Sequence, residues 1–412
     1  KLSLDIAYHY VISKVWYYER LTLDANYGKL LESYCLLVLI YLLMPKDKDK
    51  VSTIIIWLII LFSYLPMLTI FGLKNESRTY IYFVSCFWLT TGILSRLPTI
   101  RFRSLKQNRI ALVSLVLSLI LIGIVLIVPW LLSLRLDALG SIRVYDIRMD
   151  YMQRRGFVSA YILNWLAYVI IPLSIAIFLK VRNWLYLILI IAFQILIFFV
   201  TGIKAFLFAP FFVMFVVWIL NRGNAVAWTC FVMAGIVTVC LISYEFFNDV
   251  WLAGLFVERS LFDPAQLSFF YYDFFSNHEP IYLSAHRFFR NILDYPFYLD
   301  PPRLISFLYF NKLQGSANSG IVADGYMNFG FAGLIGWAIL LIIILKIVDC
   351  VSITKDKLIS VSAVVIPMVI GLTNSPLLTT LLTHGLLMGM LLVWLLPIQR
   401  DDEGRGVVPI GR

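Results

Sequence analysis

Apolar residues come in long runs along this chain, and the polar residues gather between them. A helix that crosses the hydrocarbon of a bilayer needs about 20 largely apolar residues. Runs near that length cover about 29–44, 51–73, 78–97, 108–134, 158–179, 183–203, 205–220, 225–246, 331–349, 358–374 and 377–397. Strands of a transmembrane barrel would alternate apolar and polar residues, and nothing here alternates for long. Residues 1–28 are ambiguous. LSLDIAYHYVISKVWYY is apolar and aromatic but is interrupted by Asp5, His9 and Lys14. It reads as an interfacial helix or as the end of a first span, which brings the expectation to 11–12 transmembrane helices in a single integral membrane domain, 1–412. Lys1 in place of Met points to a trimmed start, and no signal-peptide pattern is present.

The polar segments orient the runs. RFRSLKQNR within 97–109 carries Arg101, Arg103, Lys106 and Arg109, the signature of a cytoplasmic loop. Counting outward, PKDKDK at 45–50, KVRN at 180–183, NRGN at 221–224 and KDK at 355–357 share that side, and each carries Lys or Arg. The opposite side receives 135–157, TGIK at 201–204 and the long stretch 247–330. Loops as long as the last usually carry function, and its aromatic clusters predict helices lying along the membrane surface.

Composition agrees with this reading. The chain is 61% hydrophobic and 14% charged, where a soluble domain has about a quarter of its residues charged. The net charge of +10 gathers near membrane ends. It is accounted for by topology and anionic headgroups, not by nucleic acid. Cys35, Cys86, Cys230, Cys240 and Cys350 lie in or beside apolar runs without a CxxC, so they read as buried small hydrophobes.

One outer segment breaks the charge rule. RVYDIRMDYMQRRG, 143–156, holds Arg143, Arg148, Arg154 and Arg155, although short loops on that side are normally poor in Lys and Arg. Arginine offers phosphate oxygens a permanently charged planar fork of donors. On a helix Arg148 and Arg155 share a face. Such a cluster can grip a diphosphate, or it can form salt bridges to Asp137, Asp146 and Asp150 and contact lipid. Lys204 adds a cation at a helix end on the same side. The long segment supplies Arg259, Arg287 and Arg290 as further anion ligands, with His278, Glu279 and His286 as candidate proton acceptors. His384 lies inside the last run, where an ionisable group is a functional hypothesis by default. In ANSGIVADGYMNFGFAGLIGW, Asp324, a further candidate catalytic residue, and Asn328 are spaced to share a helix face. Gly325, Gly330, Gly333 and Gly336 permit close backbone approach. No HExxH, phosphate-binding loop, nucleophile elbow or metal-ligand cluster is present, so neither a metal nor a cofactor is expected.

The order of RVYDIRMDYMQRRG, TGIKAFLFAP, YYDFFSNHEPIYLS and SGIVADGYMNFGFAGLIGW resembles the Wzy-type oligosaccharide repeat-unit polymerases, which include the O-antigen polymerases. The resemblance implies a membrane glycosyltransferase C-type bundle of the second subclass, with a long periplasmic loop containing helices. It implies a metal-independent transfer at the periplasmic face of a bacterial inner membrane. The growing glycan would pass from its undecaprenyl diphosphate carrier to the non-reducing end of a new lipid-linked unit. Arginines would hold the departing diphosphate and a base would deprotonate the acceptor hydroxyl. Membrane lipids and a polysaccharide chain-length regulator are the other partners it implies. O-antigen ligase shares the mechanism with a different acceptor, but its His-x-Asn/Ser/Thr pattern is not matched by HEP, HRF or HGL. A lipid-linked oligosaccharide flippase or transporter is the alternative from another class. It should show cavity-lining charges and inverted repeats, and neither is apparent.

Overall fold

A computed structural model of the chain describes residues 1–99, 109–131 and 141–397, excepting the side chains of 109–111, 131, 141–143 and 145. Among the described residues there is no strand. Fifteen helical rods follow one another: α1 (residues 2–15), α2 (Tyr27–Leu43), α3 (Val51–Leu73), α4 (Arg78–Ser95), α5 (Arg109–Leu131), α6 (Ser141–Arg154), α7 (Phe157–Lys180), α8 (Trp184–Thr201), α9 (Lys204–Leu220), α10 (Ala225–Phe247), α11 (residues 251–275), α12 (Pro301–Phe310), α13 (Ile321–Ser352), α14 (Lys357–Asn374) and α15 (Leu377–Leu395). Each of the eleven apolar runs falls on one of these rods. Eight of the rods are long and apolar enough to cross a membrane, so the chain is a multi-pass helical membrane protein.

The difference between eight and the expected 11–12 has a physical basis. The rods α2 and α9 have 17 residues each, about 26 Å at 1.5 Å per residue, slightly short of the roughly 30 Å hydrocarbon core. The rod α4 has 18 residues but starts on Arg78 and carries Thr79, Ser85, Thr90, Thr91 and Ser95. α3 is buried almost throughout and forms the centre of the bundle.

Prolines shape four of the rods. Widened, π-type turns occupy Ile60–Tyr64, Leu166–Ile170, Gly254–Phe262 and Ile366–Gly371. Pro66, Pro172 and Pro264 follow the first three closely, and Pro367 lies within the fourth. Proline lacks an N–H and its ring crowds the carbonyl four residues earlier. A locally widened helix relieves that clash without breaking the rod.

The two ends of the bundle are built differently. At one end lysines cap helix C-termini: Lys346 Nζ donates to the Ser95 carbonyl at 2.7 Å and also to that of Leu97. Lys355 reaches the Leu396 carbonyl, Lys357 the Lys48 carbonyl, and Lys180 pairs with Asp356. Asp349 accepts from the Ser52 amide at 2.8 Å and its hydroxyl at 2.6 Å, holding the start of α3. These contacts bring 45–52, 95–97, 180, 346–357 and 396 to one end, as the charge pattern of the loops predicts. The basic stretch Arg101, Arg103 and Lys106 that anchors that pattern lies outside the described residues, as does Asp137.

The long stretch 247–330 departs from the expectation of surface helices. The C-terminal half of α11 is largely buried, where Ser268 bonds the Tyr80 hydroxyl of α4 at 2.7 Å. The cysteines also depart from expectation. Cys240 is buried, but Cys35, Cys86 and Cys230 are exposed on the apolar flanks of their helices.

Candidate functional site

The arginine segment forms a helix, α6, and its position is fixed by a glycine. Gly202 ends α8 at φ +63°, and a Cβ there would lie 2.7 Å from both the Val144 carbonyl oxygen and the Arg148 amide nitrogen. The TGIK turn and the arginine helix therefore meet backbone to backbone. Tyr151 secures the next turn of α6 through its ring contact with Trp130, centroids 5.6 Å apart. Arg148 is half-buried and acts electrostatically on Tyr168 in α7. Arg155, also half-buried, lies 5.8 Å from the Tyr151 ring centre. Arg154 is exposed and pairs with Asp150 at 2.6 Å, one of the salt bridges the sequence allows. Lys204 is exposed at the start of α9. Arg143 lies on α6, but its side chain is outside the described residues.

The long segment reaches the same region through Arg287, whose guanidinium sits 4.3 Å from the ring centre of Phe157, the first residue of α7. Its neighbour His286 is half-buried. Its Nδ1 accepts from the Phe288 amide at 3.4 Å, and burial holds its pKa below the usual histidine value. His278 is exposed, stacked on Phe274 at 4.0 Å, with Nδ1 2.8 Å from the Phe274 carbonyl oxygen. Glu279 is exposed beside it. Arg290 pairs with Asp300 at 3.2 Å on the surface of the segment.

A break in α13 anchors this segment. Phe329 and Gly330 leave helical geometry, with Gly330 at φ +59°, and the carbonyls ahead of the break turn outward. Met327 O accepts from the Ile281 amide and Asn328 O from the Tyr282 amide, each at 3.1 Å. The Asn328 side chain adds a bond from the Leu283 amide at 2.8 Å. Tyr282 and Leu283 adopt positive φ, 49° and 65°, a conformation that costs ordinary residues energy and persists only where surrounding contacts enforce it.

Asp324 lies just ahead of the break and shares a helix face with Asn328, as their spacing predicts. Its buried carboxylate accepts from Asn328 Nδ2 at 2.9 Å, Trp337 Nε1 at 2.8 Å and the Leu377 amide at 3.0 Å. It thus joins both halves of α13 to the start of α15. The glycine packing is also real, but it acts within one broken rod: a Cβ on Gly333 would lie 2.0 Å from the Gly325 carbonyl oxygen. α15 is broken in turn at Gly385, φ +82°. Ahead of that break, His384 Nδ1 and Thr380 Oγ1 are enclosed without a partner among the described residues. The His384 ring meets Tyr168 edge-on at 5.3 Å, the tyrosine that feels Arg148.

Arg259 belongs to different surroundings. It pairs with Asp263 at 2.9 Å on α11, next to Glu258, which is 5% exposed and hydrogen-bonded to Glu19. Burial and the neighbouring Asp263 and Glu19 carboxyls push the Glu258 pKa up to about 8. Glu19 opens onto a cavity of about 350 Å³ shared with Tyr18, Arg20, Tyr309 and Lys312. Sequence reading misses this cluster because 18–20, 258–263 and 309–312 are far apart along the chain and carry no motif.

Among the described residues, no three His, Cys, Asp or Glu side chains group as a metal site. No family model matches the chain, and no curated protein or solved structure matches it.

Proposed function

We propose that this chain polymerises lipid-linked oligosaccharides at the periplasmic face of a bacterial inner membrane. It would move a growing glycan from undecaprenyl diphosphate to the non-reducing end of a new repeat unit. The observation that carries this reading is half-buried Arg148 on a helix seated on the Gly202 turn, with half-buried Arg155 just past the end of that helix and Arg287 on the ring of Phe157. In the transfer the glycosidic bond from sugar C1 to the diphosphate oxygen breaks. The acceptor hydroxyl oxygen bonds to C1, and undecaprenyl diphosphate departs with the electron pair. Arginine donors held in a partly dehydrated site offset the charge that gathers on the leaving group. His286, whose pKa burial lowers, would take the hydroxyl proton at Nδ1 on giving up its 3.4 Å contact with the Phe288 amide. Asp324 has both carboxylate oxygens engaged, and its part is to hold the long segment in place.

A transporter of lipid-linked oligosaccharide is the second reading, favoured by the two interrupted apolar rods α13 and α15, since transporters build their sites from discontinuous helices. Reconstitution distinguishes the possibilities. Proteoliposomes given the undecaprenyl-diphosphate-linked repeat unit should yield a ladder of longer glycans and free undecaprenyl diphosphate. Movement of intact substrate across the bilayer without a ladder would support the transporter. A requirement for lipid A core as acceptor would support a ligase.

A further inference from the structure

The cavity between residues 18–20 and 309–312 lies apart from the arginine helix, and its walls have the make-up of a sugar site. At about 350 Å³ it falls in the range of small-ligand pockets. Tyr18 is 63% exposed and offers an open ring. Tyr309 is fixed behind it, stacked on Phe270 at 4.3 Å with its hydroxyl on Asp273 at 2.5 Å. Arg20 lies 5.6 Å from the Tyr309 ring centre. Glu19 supplies an acceptor, while Arg20 and Lys312 supply donors. Lys312 Nζ stands 4.0 Å from Glu19, too long for a hydrogen bond, so both have capacity left for a ligand. Arg20 and Asn311, on opposite walls, hold positive φ of 65° and 55°. One carboxylate and two cations face the opening beside an open aromatic ring, so acceptors and donors are both present, as the hydroxyls of a sugar ring require.

Behind Glu19 the Glu258 carboxyl shares its hydrogen bond and stays protonated to about pH 8.

We propose that this cavity is a saccharide-binding site for a sugar of the glycan, with the Tyr18 ring stacking on it and Glu19, Arg20 and Lys312 bonding its hydroxyls. The proposal rests on the polymerase reading only for the source of the sugar.

The test uses the full chain in lipid nanodiscs. The probe is the lipid-free oligosaccharide pool released by mild acid from the lipid-linked glycans of cells that produce the protein, and saturation-transfer NMR reads binding. Wild type should bind. Tyr18→Ala combined with Arg20→Gly, the latter suited to positive φ, should weaken binding about tenfold or more, the loss expected for charge-assisted hydrogen bonds. Its thermal unfolding should match wild type. Arg148→Ala should leave saccharide binding within about twofold. No saturation transfer to wild type overturns the proposal, as does wild-type binding by the folded double variant or loss of saccharide binding in Arg148→Ala. In parallel, undecaprenyl diphosphate binding that ignores Arg148→Ala would sink the polymerase reading while leaving the saccharide site standing.

Discussion

The two ends of the bundle use positive charge in opposite ways. At the lysine end, Lys346, Lys355 and Lys357 are bound to backbone carbonyls and Lys180 to Asp356. Those carbonyls end helices or turns and would otherwise lack partners, and a cation there also opposes the helix dipole. At the arginine end, Arg148 is carried on a helix laid against a glycine turn, and Arg155 follows the last residue of that helix. A lysine's flexible stem suits the reach to a carbonyl, whereas arginine's planar fork suits two oxygens of one phosphate. Net charge alone would treat the two ends as alike. The lysines' partners show that their end caps and ties the fold; the arginine helix is where we propose that an anion binds.

Substitutions at the two ends should differ in what they damage. The largest effect is expected at Gly202. Alanine there must adopt φ +63° and place a methyl 2.7 Å from two backbone atoms of α6. The arginine helix should shift, and since a misplacement of about 1 Å can cost roughly 100-fold in rate, polymer formation should fall by that order while the protein still inserts. Near-normal turnover in Gly202→Ala would show that the seating of α6 does not matter. Asp324→Ala comes next. It leaves the Asn328, Trp337 and Leu377 donors without their acceptor, and an unsatisfied buried group costs about 1–3 kcal/mol. Thermal unfolding in detergent should drop markedly, with Asp324→Asn intermediate. A smaller change is expected at the lysine end. Lys346→Ala should lose about 1 kcal/mol and leave turnover per folded molecule unchanged, so a rate defect there would erase the contrast.

A pH dependence is expected at the Glu258 cluster, apart from both ends' cations. Glu258 has its folded pKa raised to about 8 from an ordinary 4.5. Its contribution to stability is complete below about pH 4.5 and is lost as pH rises through 8, because the unfolded carboxyl ionises first. Glu258→Gln should flatten that decline and unfold later than wild type at pH 9. An unchanged slope would mean that Glu258 titrates normally.

Much of the fold was legible in the sequence because lipid leaves little choice: a long apolar run has to pair its own backbone as helix. The runs, the shared side of the loops at 45–50, 180–183 and 355–357, and the Asp324–Asn328 face all followed from spacing. The interruptions did not: Phe329–Gly330 falls at the start of the apolar run 331–349 and reads simply as the beginning of a helix, and hydropathy is continuous across Gly385. The candidate site was legible only in part. RVYDIRMDYMQRRG and TGIK stood out singly, but their contact depends on the left-handed turn at Gly202. Arg259 looked equivalent to Arg148 as a cation on the same side, yet its partner is Asp263 and its setting is the Glu258 cluster.

The most direct test of the account compares Arg148→Ala with Arg148→Lys at matched membrane abundance, reading released undecaprenyl diphosphate and polymer length. Loss of one transition-state donor typically costs about 100- to 1,000-fold. Alanine should show a loss of that order, and lysine, which keeps the charge without the fork, only partial recovery. Contact with lipid headgroups alone is worth about 1 kcal/mol per charge and would be served equally by lysine. Normal polymerisation by Arg148→Lys would contradict the diphosphate role and leave the arginine helix a membrane anchor.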